Sequence, residues 1–475
     1  MYTRIESDTV GCLEVPADAY YGIQTLRAQQ NFAITGRRLH PLMIQSLTLI
    51  KKAAALANCR AGQLDSQISD AILLACDEIL TGRLMQHFVV DPIQGGAGTS
   101  ANMNANEVIA NRAAELLGGN KGDYSLIHPN DHVNMSQSTN DVFPTAGKMT
   151  ALYLLQPLLY QLQRLEAALE KKAGEFQTVV KMGRTQLQDA VPIRLGQSFQ
   201  AYAAMIQRDI LRLQSSSRQI GVVNMGGTAI GTALNVSSFY LRHIVPILSQ
   251  VSGLQLIQAE NLIDATQNLD SLVSFSGEVK ACAVNLSKFC NDLRLLSSGP
   301  RTGIGEITLP ARQNGSSIMP GKVNPVIPEV VSQVAFRCIG NDCTITMAAE
   351  AGQLELNAFE PVLFDCLFSS LTMLTNAVQT LVDNCVADIA ANPKRCQDLL
   401  EHSVGIITAM VPYIGYGQSA EIAKEALKSG KPVRQLLQER TSLSSQELDR
   451  ILDPEAMTSP VRGIAFQGAF SSAAG

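Results

Sequence analysis

The sequence has no run of 18 apolar residues, which is about the length that a membrane-spanning helix requires. Its first residues, MYTRIESDTVGCLEV, also lack the apolar core of a signal peptide. Positive charge is not in excess either, because 37 lysines and arginines face 42 aspartates and glutamates, for a net charge of −5. Nucleic acids and anionic membranes are bound through basic patches. We therefore expect a cytoplasmic protein that binds neither nucleic acid nor membrane.

Cysteine and histidine patterns typical of disulfide scaffolds and metal sites are missing as well. The ten cysteines are scattered without a CxxC pair, and the six histidines show no spacing such as HExxH. We expect the cysteines to be reduced and buried in helical faces. The pattern predicts neither a disulfide framework nor a metal site.

Long amphipathic patterns are what the sequence does contain. Between residues 272 and 296, apolar side chains follow one another at alternating steps of three and four, as in the seam of a packed helix. Four further stripes run through residues 155–169, 199–213, 363–385 and the stretch after Pro328. Apolar positions outside the seams, such as Val284 and Leu295, indicate that other subunits cover a second face. The stripes predict a bundle of long helices.

Two regions of different character flank these stripes. Residues 1–140 mix short helical patterns with Gly- and Asn-rich loops, and residues 393–475 contain short helices. One of those helices ends near Gly430, and Ser444 with Glu447 forms a capping box at the start of the next. We predict three domains, at residues 1–140, 141–392 and 393–475, of which the second is the central bundle. The last residues, GAFSSAAG, are expected to be disordered.

The most informative stretch is the loop GSSIMPGKVN, residues 315–324. Glycine at 315 and 321 and proline at 320 and 325 break any periodic pattern, so the loop is free to hinge. It carries two hydroxyls, an ammonium and a carboxamide, from Ser316, Ser317, Lys322 and Asn324. Such groups can hold a small carboxylic acid and deprotonate it. A plain surface loop of similar composition is the alternative.

Three more loops are rich in hydrogen-bonding side chains. They are QGGAGTSANMNANE at 94–107, HPNDHVNMSQSTND at 128–141 and KMGRTQLQDAVP at 181–192. Consecutive glycines in the first loop let the backbone approach a ligand closely. A capped turn would also explain this loop, and a structural ion pair would explain Arg184 in the third. The sequence does not show that these loops converge.

GSSIMPGKVNP resembles the signature loop of the fumarase and aspartase superfamily of lyases, and GGAGTS, QSTND, GRTQLQDA and CNDLRLLSSGPR extend the resemblance over nearly the whole chain. It implies an all-α, three-domain fold and a homotetramer in which each active site takes residues from three chains. It also implies that Ser316 is the general base and that Lys322 and Asn324 bind a substrate carboxylate. The other substrate-binding residues that it implies are Thr99, Ser138, Thr139, Asn140 and Thr185.

The chemistry that this resemblance implies is removal of the C3 proton of a succinate derivative, followed by loss of the group on C2. The intermediate is an aci-carboxylate dianion, which preorganised donors such as Ser138, Thr139 and the backbone of the loop at 315–324 must stabilise. No metal or organic cofactor is required. The Ala-Ser-Gly triplet, from which another class of ammonia-lyases makes its electrophile, is absent.

The leaving group is what differs within this superfamily, and Gln186 is the informative position. Fumarases have histidine there, paired with a carboxylate corresponding to Glu329, whereas QSTND and GKVNPVIPE resemble the aspartase branch. We therefore expect elimination of ammonia from a substrate-binding site that includes Gln186, with L-aspartate as substrate and fumarate as product. A class II fumarase and a non-catalytic structural relative are the alternatives. HPND at 128–131 resembles a secondary carboxylate site of fumarases, but we expect His128 and His132 to be structural.

Overall fold

The structure, a computed structural model, describes residues 2–458, so the predicted disorder of GAFSSAAG lies outside the described residues. Helices form most of it. They are α1 (Ile23–Asn31), α2 (Pro41–Arg60), α3 (Ser66–Leu80), α4 (Thr99–Leu116), α5 (Thr139–Glu175), α6 (Leu195–Ile220), α7 (Ser238–Ser252), α8 (Leu262–Gln267), α9 (Asp270–Leu296), α10 (Val326–Glu350), α11 (Glu360–Asn384), α12 (Pro393–His402), α13 (Val411–Ser429), α14 (Val433–Arg440), α15 (Ser445–Ile451) and α16 (Pro454–Met457).

Extended structure in the described residues consists of four two-stranded sheets and an isolated bridge between Gln353 and Leu356. Three are antiparallel, and the sheet of β5 with β6 is parallel. The strands are β1 (Thr3–Asp8), β2 (Gly11–Pro16), β3 (Val180–Thr185), β4 (Gln188–Arg194), β5 (Val222–Val223), β6 (Ile257–Gln258), β7 (Ile307–Thr308) and β8 (Ala390–Ala391). Because these strands are short and the helices long, the predicted all-α class is confirmed.

Five long helices, α5, α6, α9, α10 and α11, coincide with the five apolar stripes. The stripes form because side chains three and four positions apart lie on one helical face. In α5 all five leucines of the stripe are buried, and so are the stripe residues of α9 from Leu272 to Leu293. Pro361 lies in the first turn of α11, where a missing N–H costs nothing. The only shift is at α10, which begins at Val326 and not after Pro328.

The described chain divides into two compact units. The first comprises residues 2–163, 207–288 and 330–379, and the second comprises residues 164–206, 289–329 and 380–458. Each of the five long helices contributes residues to both units. The three domains expected from the sequence were defined by changes in sequence pattern along the chain and not by spatial contacts. They therefore stay a prediction.

The short helices of the C-terminal region follow their sequence signals. Helix α13 ends at Ser429, and Gly430 follows it with a left-handed φ of 72°. The capping box at the start of α15 is present, because the Ser444 side chain accepts from the Glu447 N–H while the Glu447 carboxylate accepts from the Ser444 N–H. These caps satisfy N–H and C=O groups that a helix leaves unpaired at its ends. Both predictions are confirmed.

The cysteines are all unpaired, as expected for reduced thiols. Six of them are buried, in agreement with the prediction. Cys59 and Cys366 are half-buried, and Cys12 and Cys343 are exposed, so the expectation of burial was wrong for the last two. Cys12 lies in the two-stranded ribbon of β1 and β2, and Cys343 lies on the outer face of α10.

One described stretch, Glu360–Asp388, is long and apolar enough by length and composition to cross a membrane. More than half of its most apolar window is buried inside the structure. Core helices of globular proteins have the same composition. The buried stripe of this helix was predicted from its sequence as part of a bundle.

Candidate active site

The glycine-rich turn before α4 places Thr99 at the start of that helix. Gly96, Ala97 and Gly98 all have left-handed φ angles, of 84°, 55° and 89°. A Cβ atom on Gly98 would lie 2.3 Å from the ring of Phe143, so only glycine fits there. The exposed hydroxyl of Thr99 donates to the Gly96 carbonyl at 2.7 Å. To donate to a ligand, this hydroxyl must turn away from Gly96.

Hydrogen bonds among residues 138–141, and from a later segment to Asp141, fix the start of α5. The Ser138 N–H donates to Asp141 Oδ1 at 2.9 Å, and Ser138 Oγ accepts from the Asn140 N–H at 3.2 Å. Asp141 Oδ2 also accepts the N–H groups of Gly226 and Thr228. Burial raises the pKa of the Asp141 carboxyl to about 6, while these N–H bonds act in the opposite direction. Asp141 thus fixes the first turn of a 37-residue helix, whose N-terminus favours anions.

Residues 224–231, which were not predicted as part of a site, pack on this helix start. Asn140 Nδ2 donates to the Ala229 carbonyl at 2.7 Å, and Asn224 Nδ2 donates to the Asn140 carbonyl at 2.9 Å. The available signal was NMGGTAIG, a run with glycines at 226, 227 and 231. Gly226 and Gly231 have φ angles of 95° and 92°, which favour glycine.

The starts of α4 and α5 lie against each other in the first unit. Asn102, in the first turn of α4, donates from Nδ2 to Thr139 Oγ1 at 3.2 Å. Gly98 contacts the ring of Phe143, the fifth residue of α5. The structure therefore brings together the segments that carry Thr99 and the triplet Ser138, Thr139 and Asn140. This convergence was not readable from spacing, because the two segments are separated by about forty residues.

In the second unit, Thr185 and Gln186 lie at the tip of the hairpin formed by β3 and β4. Thr185 pairs with Gln188, so Gln186 and Leu187 form a two-residue turn with φ angles of 53° and 62°. Such turns usually contain glycine or asparagine, and other residues are strained there. Both side chains are exposed. A connecting loop was expected here, and the structure has paired strands instead.

The hairpin is anchored by a buried cluster of charges. Glu306, which is fully buried, lies 2.8 Å from Arg184 Nη1 and 3.0 Å from Lys181 Nζ. Two cations sharing one carboxylate hold β3 against the segment before β7. Arg184 therefore forms a structural ion pair, the role favoured for it from the sequence.

The loop of residues 315–324, named the Ser316 loop, is closed at its base by hydrogen bonds. The Gly315 N–H donates to the Lys322 carbonyl at 2.9 Å, and Asn324 Nδ2 donates to the Gly315 carbonyl at 2.9 Å. A Cβ atom on Gly315 would lie 2.4 Å from the Lys322 oxygen. Within the loop, Ser316 Oγ accepts N–H groups from Ile318 and Met319, both at 3.2 Å. Ser317 and Lys322 are exposed.

The histidines of HPND have structural partners. His128 Nδ1 accepts from the N–H groups of Asn130 and Asp131, and His132 Nδ1 accepts from the His128 N–H at 2.9 Å. Burial lowers the pKa of His132. These contacts fit the structural role expected for both histidines.

Comparison with known proteins gives two family matches. Residues 11–340 match a family described as lyase, and residues 406–459 match one described as fumarase C C-terminus. The aspartate ammonia-lyase of Bacillus subtilis (strain 168) is 54% identical over 462 residues, 97% of each chain. The aspartate ammonia-lyase of Helicobacter pylori (strain ATCC 700392 / 26695) is 52% identical over 459 residues, 96% of this chain and 98% of that one.

Solved structures agree with these matches. The structure of fumarate lyase:delta crystallin from Brucella melitensis bound to cobalt superposes with a TM-score of 0.94 at 53% identity, covering 97% of this chain and 100% of that one. A recombinant class II fumarase from Schistosoma mansoni gives a TM-score of 0.93 at 37% identity, covering 96% and 99%. The chain belongs to the fumarase and aspartase superfamily of lyases, and within it to the aspartate ammonia-lyase family.

Proposed function

We propose that this protein eliminates ammonia from L-aspartate to give fumarate, with Ser316 as the base. Ser316 Oγ, once its hydroxyl proton has been lost to solvent, takes the proton from C3, and the electron pair moves into the adjacent carboxylate to form an aci-carboxylate dianion. That dianion collapses to a C2–C3 double bond and expels the amino group as ammonia. Family membership supports the overall reaction, since relatives that are 52–54% identical over nearly the full length are aspartate ammonia-lyases.

The observation that carries the role of Ser316 is the environment of its hydroxyl oxygen. This oxygen accepts two backbone N–H groups, from Ile318 and Met319. The same two donors would stabilise the negative oxygen that remains when the hydroxyl proton is removed. A serine without such donors is a poor base at neutral pH.

The other predicted site residues supply donors for the two substrate carboxylates. Lys322, Asn324 and Ser317 lie in the loop with the base, and we assign them to one carboxylate. The helix starts bearing Thr99, Ser138, Thr139 and Asn140 suit the carboxylate next to C3, where the second negative charge develops. A preorganised donor of this kind is worth about 3–4 kcal/mol in the transition state. Thr185 and Gln186, at the hairpin tip, complete the proposed site.

Gln186 favours ammonia over water as the leaving group. The carboxamide cannot act as the acid or base that a histidine would supply, so a His/carboxylate relay with Glu329 cannot form. The class II fumarase remains as the second candidate, supported by the 37% identical Schistosoma mansoni structure.

Absorbance at 240 nm distinguishes the two reactions, because fumarate absorbs there. We expect an increase after the purified protein is mixed with L-aspartate, and none with L-malate. Release of ammonia in equal amount, measured with a coupled assay, is the control for stoichiometry. An increase with malate alone would establish the fumarase reaction in place of the proposed one.

We further propose a homotetramer whose active sites take residues from three chains. Support comes from α10, where large apolar side chains are exposed on one face. Phe336 and Met347 have 63% and 67% of their surface exposed, and Ile339 and Cys343 lie between them at helical spacing. Exposed stripes of this size are typical of surfaces covered by a partner.

Mixing two inactive variants tests whether sites are shared. Ser316→Ala and Asn140→Ala, each inactive alone, should regain part of the wild-type activity when they are unfolded together and refolded. Mixed tetramers then contain some sites that receive an intact Ser316 from one chain and an intact Asn140 from another. Each variant refolded alone is the control. If the mixture stays as inactive as its components, Ser316 and Asn140 of one site come from the same chain.

A further inference from the structure

A buried lysine lies behind the proposed substrate-binding triplet. Lys51, on α2, is completely buried, and its Nζ contacts Asn134 Oδ1 at 2.8 Å and Gln137 Oε1 at 2.9 Å. Burial lowers the pKa of Lys51 to about 7. With two amide oxygens as partners, the neutral amine has both of its N–H donors paired, and the ammonium form has one N–H donor more than these two acceptors.

The orientations of the two amides are fixed by backbone carbonyls, which only accept hydrogen bonds. Gln137 Nε2 donates to the carbonyls of Val133 and Met135, and Asn134 Nδ2 donates to the carbonyl of Gln137. Both side-chain oxygens must therefore face Lys51. Asn134 Oδ1 is consequently an acceptor in every contact that it makes.

Asn102 lies between this acceptor and the triplet. Its Nδ2 is 3.2 Å from Asn134 Oδ1 and 3.2 Å from Thr139 Oγ1. Because Asn134 Oδ1 can only accept, Asn102 presents its NH2 group to both atoms. Asn102 Oδ1, although buried, has no hydrogen-bond partner within residues 2–458. An unpaired buried oxygen is costly, so the two N–H bonds and not the oxygen set this orientation.

The direction of these bonds determines what the Thr139 hydroxyl can do. Its oxygen accepts from Asn102, so its own proton is available for another acceptor. We propose that Asn102 is a positioning residue that keeps the Thr139 hydroxyl as a donor toward a substrate carboxylate. The inference rests on the proposed function, in which Thr139 binds that carboxylate. Three hydrogen-bonded side chains, those of Lys51, Asn134 and Asn102, thus set the Thr139 hydroxyl as a donor toward the substrate.

The test reverses the direction of the hydrogen bond between residue 102 and Thr139 with a substitution that hardly changes the shape of the side chain. In Asn102→Asp the ionised carboxylate can only accept hydrogen bonds. The Thr139 hydroxyl therefore donates its hydrogen bond to the carboxylate at position 102 and no longer to the ligand. We expect fumarate to bind roughly 10- to 100-fold more weakly by calorimetry, the range for one hydrogen bond to a charged group. The KM for L-aspartate should rise by a similar factor. Asn102→Ala, which removes the donor without reversing it, should have a smaller effect.

A double-mutant cycle separates this role from simple structural support. In a Thr139→Val background no hydroxyl remains, so Asn102→Asp should weaken fumarate binding no further. Asn106→Asp is the matched control, since Asn106 is equally buried on α4 and its Nδ2 contacts only Met103 Sδ among the described residues. We expect it to lower the thermal midpoint without weakening fumarate binding.

Two results would overturn the inference. One is unchanged fumarate binding in Asn102→Asp, and the other is an additive loss in the double variant. The unaltered protein is measured first. If it binds fumarate but releases none from L-aspartate, the proposed function fails while the cycle still decides the role of Asn102. If it does not bind fumarate, both proposals fail.

Discussion

Replacing Ser316 with alanine should lower kcat for fumarate release by about 10³, within the 10²–10⁴ range typical of a lost general base. The variant keeps the loop backbone but has no oxygen to receive the C3 proton. KM should change little, because Lys322 and Asn324, the proposed carboxylate-binding residues, are unchanged. Initial rates at 240 nm across a range of L-aspartate concentrations separate the two parameters.

Ser317→Ala is the matched control, because it removes the neighbouring hydroxyl from the same loop. Ser317 is assigned to substrate binding, so we expect its loss to raise KM by about tenfold, the effect of one weak hydrogen bond, and to leave kcat nearly unchanged. Light scattering should give the same assembly mass for both variants. Substantial turnover by Ser316→Ala would show that the base lies elsewhere.

Glu306→Gln is expected to reduce the free energy of unfolding by about 3–5 kcal/mol, the usual cost of breaking a buried ion pair by removing one partner. Glutamine has the same shape, but it leaves Lys181 and Arg184 without a counter-charge. Their side chains are only 6% and 16% exposed, so water cannot replace the carboxylate. Denaturant unfolding at one fixed protein concentration measures the loss.

Glu439→Gln tests whether burial is the cause. Glu439 pairs with Lys431 at 3.1 Å in the same unit, but both side chains are more than two-fifths exposed. Exposed pairs contribute little, so we expect no measurable change in unfolding. If both variants lost the same stability, burial of the Glu306 cluster would not be its source. Because Glu306 holds the hairpin that carries Thr185 and Gln186, its variant should also raise KM for L-aspartate.

The long helices could be predicted because their signal is local. Apolar spacing over seven residues indicates which face of a helix is buried. The leucines of α5 and the seam of α9 are buried as this spacing predicts. The capping box of Ser444 and Glu447 is equally local. Site residues were predicted from unusual loop composition together with a family resemblance, and the roles of Ser316, Lys322 and the others stay predictions.

Other features depended on partners far away in sequence. Residues 224–231 carry no charged side chain, and their importance lies in Asp141, more than eighty residues earlier, which accepts their N–H groups. The hairpin turn at Gln186 and Leu187 contains neither glycine nor asparagine, the residues from which such turns are usually predicted. The contact between Asn102 and Thr139 likewise exists only after two helix starts have come together.

The hydrogen bonds at the base of the Ser316 loop affect the entropy of substrate binding. Gly315 is tied to both Lys322 and Asn324, so the intervening residues form a closed ring before any substrate arrives. Chain disorder that would otherwise be lost on binding has already been lost in folding. Ser316, the proposed base, and Lys322 and Asn324, the proposed carboxylate-binding residues, therefore lie in one closed ring. In the proposed reaction, a substrate carboxylate that binds Lys322 contacts the ring that also contains Ser316, so part of the ordering needed to place the base has been completed in folding.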